Sequence, residues 1–179
     1  MRAGALGCRA HTGWAALVVV AGSDVVLRKR IELADPTGRI RKNAYQAARG
    51  MELAEAGALV EAAERIATER ATAEIQGTVR EAEGVEVRSC AVVVGASREA
   101  PLGSILASHA LAHVAEARLY QDALLRGAES CRLEAIAVPK QSIPEEELRR
   151  MDELRRELGP PWGEDQKLAA LAAWIALRR

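Results

Sequence analysis

Hydrophobic and polar positions at the start of the chain follow the short periods that are typical of β-strands. The run Leu17-Val18-Val19-Val20 is continuously apolar and mostly β-branched, whereas residues 25–34 alternate between a mainly apolar and a charged face. Turn chemistry separates these runs at Thr12-Gly13 and at Gly22-Ser23-Asp24. The pattern therefore predicts an antiparallel meander of three strands, over residues 3–9, 14–21 and 25–34.

The rest of the chain alternates longer helical patterns with two further strands. The run Ala91-Val92-Val93-Val94 is apolar on both faces, as expected of a central parallel strand over residues 85–94, and a loop follows at Gly95-Ala96-Ser97. Helices are predicted over residues 43–83 and 102–131, from Ser142 to residue 158, and over residues 164–177, with a fifth strand over residues 133–138. The order βββ-α-β-α-β-α-α, without an internal repeat or a linker, predicts one domain over residues 1–179.

Local signals predict where the helices begin and break. Asn43 is the expected N-cap of the first helix, and Gly50, Gly57 and Gly77 could each interrupt it. The segment Ser142-Ile143-Pro144-Glu145 has the spacing of a capping box, which would begin the charged helix.

Composition and charge narrow the class of partner. Aromatic residues make up only 3% of the chain, so the core must consist of Ala, Val, Leu and Ile. Twenty-five Lys and Arg balance 25 Asp and Glu, and this neutral balance supports general binding to polyanions only weakly. Phosphate contacts could still come from Arg28-Lys29-Arg30 and from the basic residues of 39–42, although a solvated strand face is the commoner explanation of such runs.

Cysteine usage and the lengths of the apolar runs indicate a cytoplasmic protein. Cys8, Cys90 and Cys131 are odd in number and form no CxxC pair, which is typical of reduced thiols. Residues 1–10 lack the apolar stretch of a signal peptide, and the apolar run over residues 13–22 is shorter than the ~20 residues that span a bilayer. We therefore expect no membrane segment.

Two short motifs and the order of elements resemble a known family. The turn Thr12-Gly13-Trp14 is similar to the Thr-Gly-Tyr that follows the first strand in RuvC-type Holliday-junction resolvases of the RNase H-like superfamily. The segment from Gly163 to Ala172 resembles the acidic, alanine-rich last helix of those enzymes. The resemblance implies an RNase H-like α/β fold, a five-stranded mixed sheet of an antiparallel meander and two parallel strands flanked by helices. It extends to a small class of uncharacterised bacterial proteins with no implied activity.

The resemblance also implies a metal site whose acidic residues are largely missing from this chain. In the family, carboxylates from the first strand, the fourth strand and the last helix hold two divalent ions for phosphodiester hydrolysis. Here the first strand reads Ala5-Leu6-Gly7-Cys8-Arg9, and the fourth strand ends in Val94-Gly95. Only Asp165, with Glu164 beside it, matches an acidic position, so the inherited site is expected to be degenerate.

A second candidate site lies on the predicted helix over residues 102–131. At about 100° per residue, His109, His113, Glu116 and Tyr120 fall on one stripe, which is expected to point inward or into a cleft. Two imidazoles and a carboxylate could bind a transition metal. The alternative is a pair of half-buried, hydrogen-bonded histidines with a glutamate at the rim.

Asp165 has two interpretations of its own. It could be a metal ligand or a general base at the edge of the sheet, or it could stabilise the N-terminus of the last helix together with Glu164. If the geometry of the family holds, Asp165 lies near the end of the first strand, close to Arg9 and His11, with Lys167 as a further candidate.

Two hypotheses for function follow. The first is a diverged phosphodiester hydrolase that uses Mg²⁺, Mn²⁺ or Zn²⁺, with Asp165 and Glu116 as catalytic groups and with both of these residues, His109 and His113 as metal ligands. The second is a non-catalytic binding or assembly module that forms a homo-oligomer, such as a homodimer. The missing acids of the first and fourth strands favour the module, and the His-Glu stripe keeps the enzyme open.

Overall fold

A computed structural model describes residues 1–96 and 99–179 and contains a five-stranded mixed sheet of order β3-β2-β1-β4-β5. The strands are β1 (Arg2–His11), β2 (Trp14–Ala21), β3 (Asp24–Glu32), β4 (Val85–Val94) and β5 (Glu134–Pro139). β1 pairs with β2 and β2 with β3 in antiparallel register, whereas β4 is parallel to both β1 and β5. The predicted meander and the two predicted parallel strands are therefore confirmed.

Helices cover both faces of this sheet. They are α1 (Ala44–Ala48), α2 (Leu53–Glu81), α3 (Leu102–Ala107), α4 (His109–Ser130), α5 (Glu145–Arg150), α6 (Arg155–Leu158) and α7 (Glu164–Leu177), with a 3₁₀ turn at Lys140–Ser142. None of the described helices has the length and apolar composition needed to cross a membrane.

Successive side chains of β1 point to opposite faces of the sheet, so the core has two layers. Leu6 and Cys8 face α2 and α4, whereas Ala5 faces α7. Gly7 lies on the α7 side, where a Cβ atom would overlap the carbonyl oxygen of Ala169, so α7 approaches β1 as closely as backbone allows. Both layers are built mainly from Ala, Val, Leu and Ile, as predicted from the scarcity of aromatic residues.

Two of the predicted helices differ from the structure at internal positions. Gly50 does separate α1 from α2, with a φ of +84° that favours glycine. Gly57 and Gly77, in contrast, lie inside α2 and break nothing, because a stripe of buried alanines holds that helix against its neighbours. The prediction of one helix over residues 102–131 is wrong, because the Ser108 side chain accepts a hydrogen bond from the Leu111 N–H and begins a separate α4.

The capping box predicted at Ser142 is also wrong. Its hydroxyl donates to the Pro139 carbonyl at 2.7 Å instead, and helix α5 begins after Pro144. Residues 151–154 then separate α5 from α6, so the charged segment is not one helix. Helix α7 has the predicted bounds, and the Gly163 N–H at its start donates to Gln166 Oε1 at 2.9 Å. The loop predicted after β4 includes Ser97, which lies outside the described residues.

Candidate functional site

Asp165 meets the end of β1 at the start of α7. Its Oδ1 lies 2.7 Å from His11 Nε2 and 3.9 Å from Arg9 Nε. Asp165 is in the first turn of α7, and the close approach of α7 at Gly7 brings that turn onto the last residues of β1. The neighbourhood of Asp165, Arg9 and His11 is the one predicted from the sequence.

The imidazole of His11 is held by aromatic stacking as well as by Asp165. His11 and Trp14 are paired across the β1–β2 turn, and their rings stack with centroids 4.4 Å apart and planes 8° from parallel. The Arg30 guanidinium lies over the same indole, 3.8 Å from its centroid, and its Nε donates to Glu32 at 3.0 Å. The turn Thr12-Gly13-Trp14 therefore supplies the indole that orients His11.

Arg9 lies near the end of β1, the strand on which the resemblance implies an acidic group. Its side chain is 18% exposed, and its Nε is buried with no hydrogen-bond partner among the described residues. Arg9 pairs in register with Val93 of β4, whose carboxyl end continues into Val94 and Gly95 without a carboxylate. At Gly7, the next position of β1 on the same face, the backbone of α7 leaves no room for a side chain.

A pocket of about 770 Å³ opens beside this edge of the sheet. Gly95, Lys140, Arg149 and Glu164 lie on its wall, together with apolar residues of α5 and α7. Lys140 Nζ donates to Glu164 Oε1 at 2.9 Å, so the second acidic residue of the α7 start is already paired. Lys167, the further candidate on α7, forms an ion pair with Asp152.

The two histidines of α4 lie on the surface and contact each other. His109 Nε2 and His113 Nε2 are 3.1 Å apart, and the rings meet edge to face. His109 Nδ1 lies 3.2 Å from Gln46 Oε1 and 3.3 Å from Arg49 Nη1. Both histidines are exposed, so they are not the half-buried pair of the alternative interpretation.

Glu116 and Tyr120 point into the protein and hold the chain before and within α1. Glu116 Oε1 accepts the Tyr45 N–H at 2.5 Å, and the Tyr120 hydroxyl donates to the Lys42 carbonyl at 2.6 Å. Glu116 therefore satisfies a backbone N–H at the start of α1, which is the role expected of Asn43. Among the described residues, the Asn43 side chain makes no capping hydrogen bond. Burial raises the pKa of Glu116 to about 7 and also raises the pKa of the Tyr120 hydroxyl.

The structure does not bring the four expected metal ligands together. His109 and His113 lie at the start of α4, Glu116 faces α1, and Asp165 lies with α7 on the opposite face of the sheet. Within residues 1–96 and 99–179, no three His, Cys, Asp or Glu side chains are arranged to hold a metal ion. The prediction that the whole stripe faces inward is wrong, because His109 and His113 are exposed while Glu116 and Tyr120 are buried.

The basic run on β3 has a structural use that sequence reasoning missed. Arg28 donates to the carbonyl oxygens of Leu158, Gly159 and Pro161 at 2.6, 3.0 and 2.9 Å. Lys29 donates to Glu81 at 2.9 Å. These two side chains fasten the sheet to the segment before α7 and to α2, and their partners lie too far along the chain for a local pattern to reveal them.

Comparison with solved structures identifies the fold. The chain is similar to a structure titled T. thermophilus RuvC in complex with Holliday junction substrate, with a TM-score of 0.57 and 15% identity over 98% of this chain and 93% of that chain. A Thermus thermophilus RuvC structure matches with a TM-score of 0.53 and 15% identity, over 97% and 93%. Neither family models nor curated proteins give a match. At this identity the likeness shows the fold, which confirms the predicted RNase H-like, RuvC-type architecture.

Proposed function

We propose that this chain, which has the fold of the RuvC structures, is a binding module for nucleic acid. It contacts the phosphate groups and does not cleave the strand by metal-dependent hydrolysis. One observation carries the proposal: Asp165, the acidic residue that matches the inherited position, is engaged by His11 at 2.7 Å and lies 3.9 Å from Arg9. Its two side-chain partners are a histidine and an arginine, and the neighbouring Glu164 is paired with Lys140.

Such surroundings oppose the binding of a hard divalent cation. Mg²⁺ prefers several oxygen ligands, which neutralise its charge and replace its water. Arg9 places a permanent positive charge beside Asp165 in a partly buried position, where repulsion of a second cation is stronger than in bulk water. Among the described residues, Asp165 belongs to no group of three His, Cys, Asp or Glu side chains that could hold a metal ion.

The same cationic groups favour an anion. The Arg9 side chain is 18% exposed and its Nε has no acceptor among the described residues, while Arg30 is exposed above the Trp14 ring. The aliphatic part of the exposed Lys42 side chain packs beside the Gly13 turn, which follows the end of β1. Guanidinium groups bind phosphate oxygens well, and each Lys or Arg contact adds a salt-dependent contribution. A local cationic edge on a neutral chain can therefore bind phosphate where the net charge does not.

The test is binding and cleavage of labelled DNA by the whole chain. A four-way junction is the first substrate, because the similar RuvC structure is titled as a complex with a Holliday junction. Fluorescence anisotropy measures affinity in EDTA and in Mg²⁺, a gel measures strand cleavage, and sedimentation velocity shows whether the expected homo-oligomer binds. We expect equal affinity with and without Mg²⁺, no cleavage, and about tenfold weaker binding for Arg9→Gln, from the loss of one charged contact.

Arg88→Gln is the matched control, because Arg88 is exposed and lies toward the opposite end of β4 from the carboxyl edge. Equal losses for the two variants would contradict the proposal. Cleavage that requires Mg²⁺ or Mn²⁺ and is abolished by Asp165→Asn would overturn it in favour of a metal-dependent phosphodiester hydrolase.

A further inference from the structure

The first turns of α4 carry a pair of histidines that the proposed phosphate-binding site does not use. His109 and His113 are four residues apart on one helix, so both imidazoles project from the same face. Both are exposed, and α4 covers the face of the sheet opposite to α7 and Asp165. This pair, defined by His109 and His113, is called the α4 histidine pair below.

The separation of the two Nε2 atoms matches a shared metal ion. Imidazole nitrogens bind zinc at about 2.0–2.1 Å, and two such ligands ~90–110° apart around one ion are about 2.9–3.4 Å from each other. The observed separation is 3.1 Å. In the absence of an ion, this distance also fits one N–H···N hydrogen bond, so the pair is already in the compact arrangement that an ion requires.

We propose that the α4 histidine pair binds one divalent transition-metal ion of the class that prefers imidazole, such as Cu²⁺, Ni²⁺ or Zn²⁺. The protein supplies two nitrogen ligands, and solvent supplies the rest. Mg²⁺ and Ca²⁺ are excluded by ligand chemistry, because these ions prefer oxygen ligands.

Gln46 of α1 orients one of the two ligands. Its Oε1 lies 3.2 Å from His109 Nδ1 and accepts a proton from it in the metal-binding tautomer, which leaves the lone pair of Nε2 for the ion. The amide of Gln46 is itself held, because its Nε2 lies 3.4 Å from the His109 carbonyl oxygen. A residue 63 positions away therefore positions the His109 ring.

Arg49, unlike Gln46, is expected to weaken the binding of a metal ion. Its Nη1 lies 3.3 Å from His109 Nδ1, and its Nε donates to the Leu106 carbonyl at 3.1 Å. A fixed positive charge beside the ligand lowers the affinity for any cation. Removal of this charge should therefore tighten metal binding, which is a result that a merely structural pair of histidines does not produce.

The experiment titrates Cu²⁺ alone, and then Zn²⁺ alone, into the EDTA-treated and dialysed whole chain by calorimetry near pH 7.5. We expect one ion per chain, and for Cu²⁺ an electron paramagnetic resonance spectrum with hyperfine splitting from two imidazole nitrogens. Replacement of His113 by Ala leaves a single ligand, and affinity should fall about 100-fold because the chelate is lost.

Three variants separate this site from adventitious binding. His113→Ala combined with Val114→His keeps three histidines in the chain but breaks the spacing, at an exposed position, and should bind as weakly as His113→Ala. Gln46→Leu should weaken binding about tenfold, as outer-shell partners of zinc ligands do. Arg49→Gln should bind more tightly than the wild type.

Equal affinities of the wild type and of His113→Ala would overturn the proposal. Loss of binding in His11→Ala, with retention in His113→Ala, would overturn it as well and would assign the ion to the Asp165 site. The DNA-binding test is performed in EDTA, so failure of the metal site and failure of the proposed function give separate results.

Discussion

Glu116 has a buried carboxyl group with only one of its oxygens satisfied. Oε1 accepts the Tyr45 N–H, whereas Oε2 is buried without a hydrogen-bond partner among the described residues. Burial raises the folded-state pKa to about 7. The folded state therefore keeps its proton at pH values where the unfolded chain has lost it, and stability falls as the pH rises through this interval.

We expect the free energy of unfolding to fall by about 2 kcal/mol between pH 5 and pH 8 because of this group. Glu116→Gln keeps an oxygen acceptor for the Tyr45 N–H and cannot ionise, so its profile should be flatter over the same interval. Urea denaturation of both proteins at several pH values measures the difference. Parallel profiles for the two proteins would show that Glu116 does not titrate in this range.

The surroundings of a residue could be predicted from the sequence where the family resemblance or a local pattern determined its position in the fold. The resemblance placed Asp165 near the end of the first strand, close to Arg9 and His11, and the structure has these contacts. The partners of Glu116 were not predicted, since Tyr45 lies 71 residues away and a helix face does not reveal what packs against it. Periodicity thus placed the four residues on one side of the helix but did not reveal that the two histidines of that side are exposed.

At the scale of elements, the contact between β1 and α7 depends on Gly7. An added Cβ would overlap the Ala169 carbonyl oxygen, and neither backbone can move without disturbing the buried layer around it. We expect Gly7→Ala to lower the free energy of unfolding by about 3 kcal/mol, through overpacking. Gly95→Ala is the matched control, because a Cβ there meets no atom of residues 1–96 and 99–179 within 4 Å. Chemical denaturation compares the two, and similar stabilities would contradict the close approach.

The bounds of elements were predictable where side-chain pattern and backbone chemistry agree. Strand β2 and helix α7 match their predicted ranges, since continuous apolar runs end at turn residues. Ser108 was missed as a break because it lies within an apolar helical pattern, and only the resulting bend between α3 and α4 requires a cap there. A local signal is decisive only when tertiary packing does not override it.

At the scale of the whole molecule, the sheet decides which residues can act together. Alternation along β1 sends Arg9 toward α7 and Cys8 toward α4, so residues that share a motif can lie on opposite faces. The four predicted metal ligands are therefore divided between the two faces of the sheet. Two separate candidate sites with different chemistry result. The proposed phosphate site has the cations Arg9, Arg30 and Lys42, whereas the α4 histidine pair offers imidazole nitrogens to a metal ion.

The neutral charge balance of the whole chain predicts how the affinity of the proposed DNA binding depends on salt concentration. Because the formal net charge is zero, long-range attraction is small and the affinity depends on the few cations of the edge that contact phosphate. Three such contacts, from Arg9, Arg30 and Lys42, predict a slope of about −3 for the logarithm of the binding constant against the logarithm of salt concentration. Arg9→Gln should make that slope shallower by about one unit, and Arg88→Gln should leave it unchanged. Anisotropy titrations from low to moderate salt measure both slopes. An unchanged slope in Arg9→Gln would mean that phosphate is bound elsewhere on the molecule.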